Sequence, residues 1–386
     1  MINALPYILL TIFYGVLAVY HHQINDLLKR RYVNTICILA FLFFFGFRGF
    51  VFYDWAAYYP MFQAWPTLGE FFSTSILKWG SEPGFTFLGV LSKTVFPNYH
   101  FFAFICSAIN LTLMVRFFRR YSDNMPLSFM LFLAFSGIGL STDLMRNSLS
   151  ILIFANSVEF IHARKPLQYF GINLLGMMFH YSAVFFLPLY FFLHRSYSKW
   201  FLMALFVAAN AIYLLHIPIL KSIILMVTDI VAPSVRYYLD SYTKMDSGAG
   251  FGIGIGYLER LLTGGLLFCY MGKLRSIRPE NNIFINCVIL YLFLFLMFSE
   301  FRTVSARLSN LFSLGYWIIW ADLLRCFTYR NNRLLYAAFV GIYCILKVYG
   351  ICKVSLANYE NILFGSQSYN EHIVFFRQHS NDKTGI

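Results

Sequence analysis

Apolar runs long enough to form helices recur from one end of the chain to the other, with short polar turns between them. A bilayer-crossing helix needs about 20 mostly apolar residues. Stretches that meet or approach that length lie near 3–20, 33–51, 99–118, 125–141, 143–162, 167–179, 181–194, 199–217, 253–271, 283–301, 305–324 and 334–352. The pattern predicts an all-α polytopic membrane protein with about 12 transmembrane helices. The runs 167–179 and 181–194 are short and read as a broken pair. A further run, 84–97, is too short to cross and carries Lys93. It reads as a re-entrant or interfacial helix on the outer face, tolerated where protein or a water-filled cavity surrounds it.

Basic residues orient this set, because Lys and Arg gather in cytoplasmic loops. Lys29, Arg30 and Arg31 follow the first span, Arg116, Arg119 and Arg120 end the third, and Arg164 and Lys165 end the fifth. Arg195, Lys199, Lys273, Arg275, Arg278, Arg325, Arg330 and Arg333 continue the pattern. All fall on one side if both termini lie outside. The long outer segments are then 52–98, 218–252 and 353–386, and the whole chain, 1–386, reads as a single transmembrane domain. Its first apolar run lacks a basic leader and a small-residue cleavage site, so no cleavable signal peptide is expected.

Composition strengthens the membrane reading. Hydrophobic residues make up 59% of the chain and charged residues only 12%, with a mean hydropathy of +0.63. A soluble domain carries about 25% charged residues. The net charge of +13 is mostly the topology signal just described, and no nucleic-acid partner is implied. Seven cysteines, mostly inside apolar runs, form no CxxC or Cys/His cluster, so no metal is expected.

The remaining charges gather at outer helix ends: Arg48, Asp54, Glu82, Asp143, Arg146, Glu259, Arg260, Arg302 and Arg307, with His180 at the apex of the short pair. A charge at the centre of a spanning helix costs about 2.5–3.5 kcal/mol on insertion scales, and less near the interface. Each Arg taken alone could simply snorkel to the headgroups. Four on separate helices, on the side that the positive-inside rule disfavours, point further. Guanidinium groups suit forked binding of phosphate oxygens, so Arg48, Arg146, Arg302 and Arg307 are candidates for a pyrophosphate site. Asp54 and Glu82 are candidates to take a proton from an attacking hydroxyl. The plainer alternatives are a loop cap for Asp54 and a first-turn charge ahead of Pro83 for Glu82. Trp55, Tyr58, Tyr59, Trp65, Tyr237, Tyr238 and Tyr242 crowd the outer loops and suit sugar stacking as well as a membrane interface. Ser247–Gly256 contains a GxGxG pattern without the preceding strand of a nucleotide fold, and reads as a flexible lip.

Taken in order, these segments resemble the EpsG family of Wzy-type O-antigen polymerases. Phe47-Arg48-Gly49 followed by Tyr53-Asp54 and Tyr58 is similar to the family's outer Arg and Gly-x-Asp-x-x-x-Tyr element. Glu82-Pro83-Gly84-Phe85 resembles its Glu-Pro-x-aromatic element, and Arg146-Asn147-Ser148-Leu149-Ser150 its Arg-Gln-x-Leu-Ala helix start. Phe179-His180-Tyr181-Ser182-Ala183 resembles the Phe-His-x-Ser-Ala turn, and Arg307-Leu308 opens a late helix. Two positions depart: Phe52 stands where the family has Gly, and Asn147 where it has Gln.

The resemblance implies a type C membrane glycosyltransferase in the bacterial inner membrane, with its active site facing the periplasm. It would move a glycan from undecaprenyl pyrophosphate onto a second lipid-linked repeat unit, without a cofactor. Arg146, Arg302 and Arg307, joined by Arg48, would hold the pyrophosphate. Asp54 or Glu82 would be the base, with His180 competing for that role or orienting the acceptor. Tyr58, Tyr181 and Tyr237 are the candidate glycan contacts. Implied partners are undecaprenyl-pyrophosphate-linked oligosaccharides, membrane lipids and, as a further candidate, a chain-length regulator. Three rivals stand beside this reading. A lipid-linked oligosaccharide flippase predicts midplane charges and two repeated halves, and neither is visible in the sequence. A membrane O-acyltransferase, with His180 as base, favours chemistry reachable from the cytosol. An O-antigen ligase differs in its acceptor.

Overall fold

A computed structural model describes residues 2–71, 73, 81–219, 221, 222 and 252–380. Among these the chain is helical, with no strand and a single isolated antiparallel bridge, Arg48 to Asn361. The described chain divides into two compact units, Met1–Phe192 with Tyr329–Ile386, and Leu193–Thr328.

Local chemistry starts the helices of the first unit. Pro6 sits in the first turn of α1 (Leu5–Gln23), where its missing N–H is no loss. Asp26 accepts from the Leu28 amide to open α2 (Leu27–Phe41). Two short outer helices follow, α3 (Trp55–Ala64) and α4 (Leu68–Phe71). Pro83 begins α5 (Pro83–Val95), the predicted interfacial segment, and Asn98 caps α6 (Tyr99–Tyr121). Asn124 opens α7 (Met125–Phe132), which passes through a π turn at Leu133–Gly137 into α8 (Ile138–Thr142). Non-helical dihedrals at Phe135 and Ser136 kink the path there. The unit continues with α9 (Met145–His162), α10 (Pro166–Met177) and a 3₁₀ helix, Tyr181–Phe191. A 3₁₀ helix rises about 2.0 Å per residue, so these 11 residues reach further than the same number in an α-helix. The run that looked short for a span is partly stretched.

In the second unit lie α11 (Lys199–Leu214), α12 (Ile255–Ile277), α13 (Asn281–Met297), α14 (Arg302–Asn310) and α15 (Leu314–Cys326). The predicted span 305–324 is broken between α14 and α15. Ser305, Ser309 and Ser313 each donate to the carbonyl three residues back, and such back-bonding competes with the helical ladder. The chain returns to the first unit with α16 (Arg330–Cys352) and α17 (Tyr369–His379), the latter started by a Ser368–Glu371 capping box.

Among the described residues, four helical stretches are long and apolar enough to cross a membrane: Ile2–Gln23, Tyr99–Tyr121, Met125–Thr142 and Arg330–Cys352. All four belong to the first unit. The stretches around α1 and α16 are only 33% and 28% buried, whereas α7–α8 is 89% buried. So much exposed apolar surface suits a lipid-facing helix, and the enclosed one forms the core. The remaining predicted spans exist as helices but are shorter, broken or more highly charged; α12, for example, carries Glu259, Arg260, Lys273 and Arg275.

Contacts within the first unit sort its charges into two ends. Arg116 and Arg120, at the end of α6, pair with Glu159 near the end of α9. At the opposite ends of the same helices, Asn98 starts α6 and Arg146 lies in the first turn of α9. There the chain after α2 is sewn to the chain after α16. Gly49 donates to Glu360, Phe52 to Leu356, and Ile362 to Phe47, all through backbone groups. That sewing holds the stretch containing Arg48 and Asp54.

Candidate functional site

Phe52 takes a left-handed backbone conformation, with φ of 63°. Glycine adopts that conformation at no steric cost, which gives a physical reason for the Gly expected here. The Phe ring offsets the strain by burial: it is 1% exposed and meets Tyr7 edge-on. Two residues on, the Asp54 side chain does not cap α3, so the plain loop-cap reading fails. Its carboxylate instead interacts with the Tyr58 hydroxyl, one helical turn along.

Asp143 fixes this stretch from below. It lies in the turn between α8 and α9, and its Oδ1 accepts from the backbone amides of Tyr53 at 2.8 Å and Asp54 at 3.1 Å. Burial first, and then the nearby Asp54 charge, push the Asp143 carboxyl up to about 7. Two neighbouring acids thus avoid carrying full charge together. Arg48 is 5% exposed, and its Nη1 donates to the Phe45 carbonyl at 2.6 Å and to Ser107 Oγ at 2.7 Å. Those bonds tie the π turn that follows α2, Leu42–Gly46, to α6.

Glu82 precedes Pro83 at the start of α5 but does not cap it. The side chain turns to Arg146, whose Nη1 lies 2.7 Å from Oε2, while Oε1 accepts from the Tyr181 amide at 3.4 Å. Arg146 Nε donates to the Tyr58 hydroxyl at 3.1 Å, and its guanidinium lies 5.5 Å from the Tyr58 ring centre. Burial, with Asp54 second, raises the Tyr58 hydroxyl well above its usual value, so it stays protonated. The Glu82 side chain is 4% exposed and that of Arg146 28%, so the pair is anchored inside and reachable at its cationic end. Asp54, Tyr58, Arg146 and Glu82 therefore form one connected chain from α3, α5 and α9.

His180 closes the cluster. Its Nδ1 accepts from the Ser182 amide at 3.1 Å, capping the 3₁₀ helix. An Nδ1 that accepts an N–H leaves the proton of a neutral ring on Nε2. Ser182 Oγ sits 2.7 Å from Nδ1 and donates to Asn147 Oδ1 at 3.1 Å. His180 thus presents a donor rather than a lone pair, which fits orienting an acceptor better than serving as base. Gly84 keeps the turn close: its amide donates to the Met178 carbonyl at 2.8 Å, and a Cβ there would lie 2.8 Å from the same oxygen.

The aromatic residues divide. Trp55, Tyr58 and Trp65 are buried in a core with Phe62, Phe85 and Phe102, whereas the Tyr181 side chain lies at the surface. Tyr237, Tyr238 and Tyr242 lie outside the described residues, as do residues 247–251 of the glycine-rich lip, while Gly254 precedes the first turn of α12. Lys93, the charge that disqualified 84–97 as a span, donates to the carbonyls of Phe62, Gln63 and Trp65 and so caps α3.

In the second unit, Arg302 is half-buried and Arg307 exposed on α14. Five residues apart, they lie about 140° apart around the helix axis. Glu259 and Arg260 are buried in α12; Arg260 donates to Gly256 at 2.6 Å and its guanidinium stacks 3.4 Å from the centre of the Phe295 ring. They are built into the helix packing. The sequence marked Asp143 as a charge and Asn147 and Ser182 as motif positions, but assigned none of them a role. Asp143 meets the Tyr53 amide from 90 residues away, a distance that no local spacing signals.

Among the described residues, helices throughout, several of span length and apolar, with acids, a histidine and an arginine collected at one end, define a membrane-embedded protein with a polar cluster there. The chain belongs to the EpsG family, whose model matches residues 31–363. That membership points to a polysaccharide polymerase-like role. No curated protein and no solved structure matches the chain.

Proposed function

We propose that the protein is a polysaccharide polymerase of the bacterial inner membrane, a type C glycosyltransferase acting at the periplasmic face. It transfers a glycan from undecaprenyl pyrophosphate to a lipid-linked repeat unit. The observation that carries this reading is the chain Asp54–Tyr58–Arg146–Glu82, which places a reachable guanidinium beside a carboxylate.

Arg146 binds the donor's pyrophosphate oxygens and stabilises their charge as the bond breaks. Asp54 removes the acceptor hydroxyl's proton. The acceptor oxygen bonds to the anomeric carbon while the carbon–oxygen bond to pyrophosphate breaks, and undecaprenyl pyrophosphate leaves with the electron pair. Burial holds the Asp143 carboxyl above the usual range, which lessens the competing negative charge beside Asp54. Glu82 acts on Arg146 as a positioning residue, and His180 directs the acceptor through its Nε2 proton. Arg302 and Arg307 contribute further phosphate binding, a role that rests on their chemistry alone.

The test is purified protein in liposomes with a purified lipid-linked repeat unit. A ladder of longer glycans is expected; R146K, which keeps a cation beside buried Glu82 but loses the fork, and D54N should each reduce it by about 100-fold or more while retaining the wild-type unfolding temperature. No ladder from a verified substrate would overturn the polymerase reading. A full ladder from D54N would remove Asp54 as the base.

A further inference from the structure

The opposite, basic end of the first unit holds a groove that the proposed reaction does not use. Arg31, Asn34, Thr35 and Ile38 lie along one stripe of α2, at the three- and four-residue spacing of a helix face. The facing stripe of α6 runs from Leu111, Thr112 and Val115 to Arg116, Arg119 and Arg120. Arg119 borders a cavity with Arg31, and Ile38 borders one with Leu111, so the two stripes run antiparallel. The two cavities, of about 680 and 560 Å³, adjoin at Arg119. The groove is therefore apolar at its membrane end and cationic at its other end.

Glu159 engages two of the four guanidiniums, those of Arg116 and Arg120. Arg31 and Arg119 are exposed on the groove wall. The positive-inside rule requires basic residues at this end. It does not require a row of guanidiniums continuous with an apolar trough between two helices. Forked cations at headgroup level beside a hydrocarbon-lined slot complement a lipid with a phosphodiester and acyl chains.

We propose that the α2–α6 groove binds one anionic phospholipid, its phosphodiester held by Arg31 and Arg119 and an acyl chain lying along Ile38, Leu111 and Val115. The proposal does not depend on the glycan reaction. The test is native mass spectrometry of the full-length protein in detergent, titrated with phosphatidylglycerol or phosphatidylcholine. Wild type should retain phosphatidylglycerol preferentially, and R31Q/R119Q should weaken that retention roughly ten-fold or more. I38W, which fills the apolar end, should weaken it as well, with both variants keeping the wild-type unfolding temperature. R330Q/R333Q removes the same charge from the start of α16 and should leave retention unchanged. Equal retention by R31Q/R119Q, an equal loss in R330Q/R333Q, or equal retention of phosphatidylcholine would overturn the site. Displacement of the lipid by millimolar inorganic phosphate would overturn it in favour of a free-phosphate site.

Discussion

Single side chains in this protein carry more than their local sequence indicates. Asp143 is the clearest case: it accepts two backbone amides with one oxygen and sits beside Asp54. Its folded carboxyl is raised to about 7, whereas an unfolded Asp titrates near 3.9. Between those values the folded state holds the proton and the unfolded state does not. Stability therefore falls as pH rises through that window. Asp143→Asn keeps an acceptor for both amides and cannot ionise, so it should flatten the fall between about pH 4 and 7 in a denaturation series. An unchanged slope would show that Asp143 is not the titrating group. Glu82 offers a second test, because it holds Arg146 through charge. Glu82→Gln should raise KM for the donor more than it lowers kcat, provided the arginine binds pyrophosphate in the ground state as well as in the transition state.

At the scale of elements, two backbone positions show why the motifs have their composition. Gly84 lets α5 approach the Met178 carbonyl, and Gly84→Ala should destabilise the protein by about 1–3 kcal/mol through overpacking. The shifted turn carries His180, so activity should drop further than stability alone accounts for; a variant with full activity would show that the close approach is dispensable. Phe52 holds a left-handed conformation while burying its ring. Phe52→Gly removes strain of about 1 kcal/mol, but deletes a buried aromatic of the kind that costs about 3–5 kcal/mol to truncate. Net destabilisation by roughly 2–4 kcal/mol is expected from thermal or denaturant unfolding. The motif's missing Gly was visible in the sequence. That Phe52 keeps the Gly conformation was not, because the compensation comes from Tyr7, 45 residues earlier in α1.

For the molecule as a whole, the division of charges between two ends supports an orientation with both termini outside. In a Cys269→Ser background, Gln367→Cys should react with a membrane-impermeant maleimide added to intact spheroplasts. Lys165→Cys should react only after permeabilisation. The reverse pattern would invert the topology and place the Asp54–Arg146 cluster on the cytoplasmic side.

The sequence by itself determined that the chain is helical, where nearly every helix runs, and which charges were too costly to be incidental. It could do so because helix periodicity, capping residues and hydropathy are local properties. The helix α17 within the outer segment 353–386 escaped that reading, since its 11 residues are amphipathic rather than apolar. Only the tertiary structure decided how the costly charges divide their tasks. Arg48 is spent on Phe45 and Ser107, Glu82 on Arg146, and Asp143 on the backbone ahead of Asp54. Apart from the local Arg48–Phe45 bond, these pairings join residues 59 to 90 positions apart, and what a buried charge can do depends on the partner that the fold supplies.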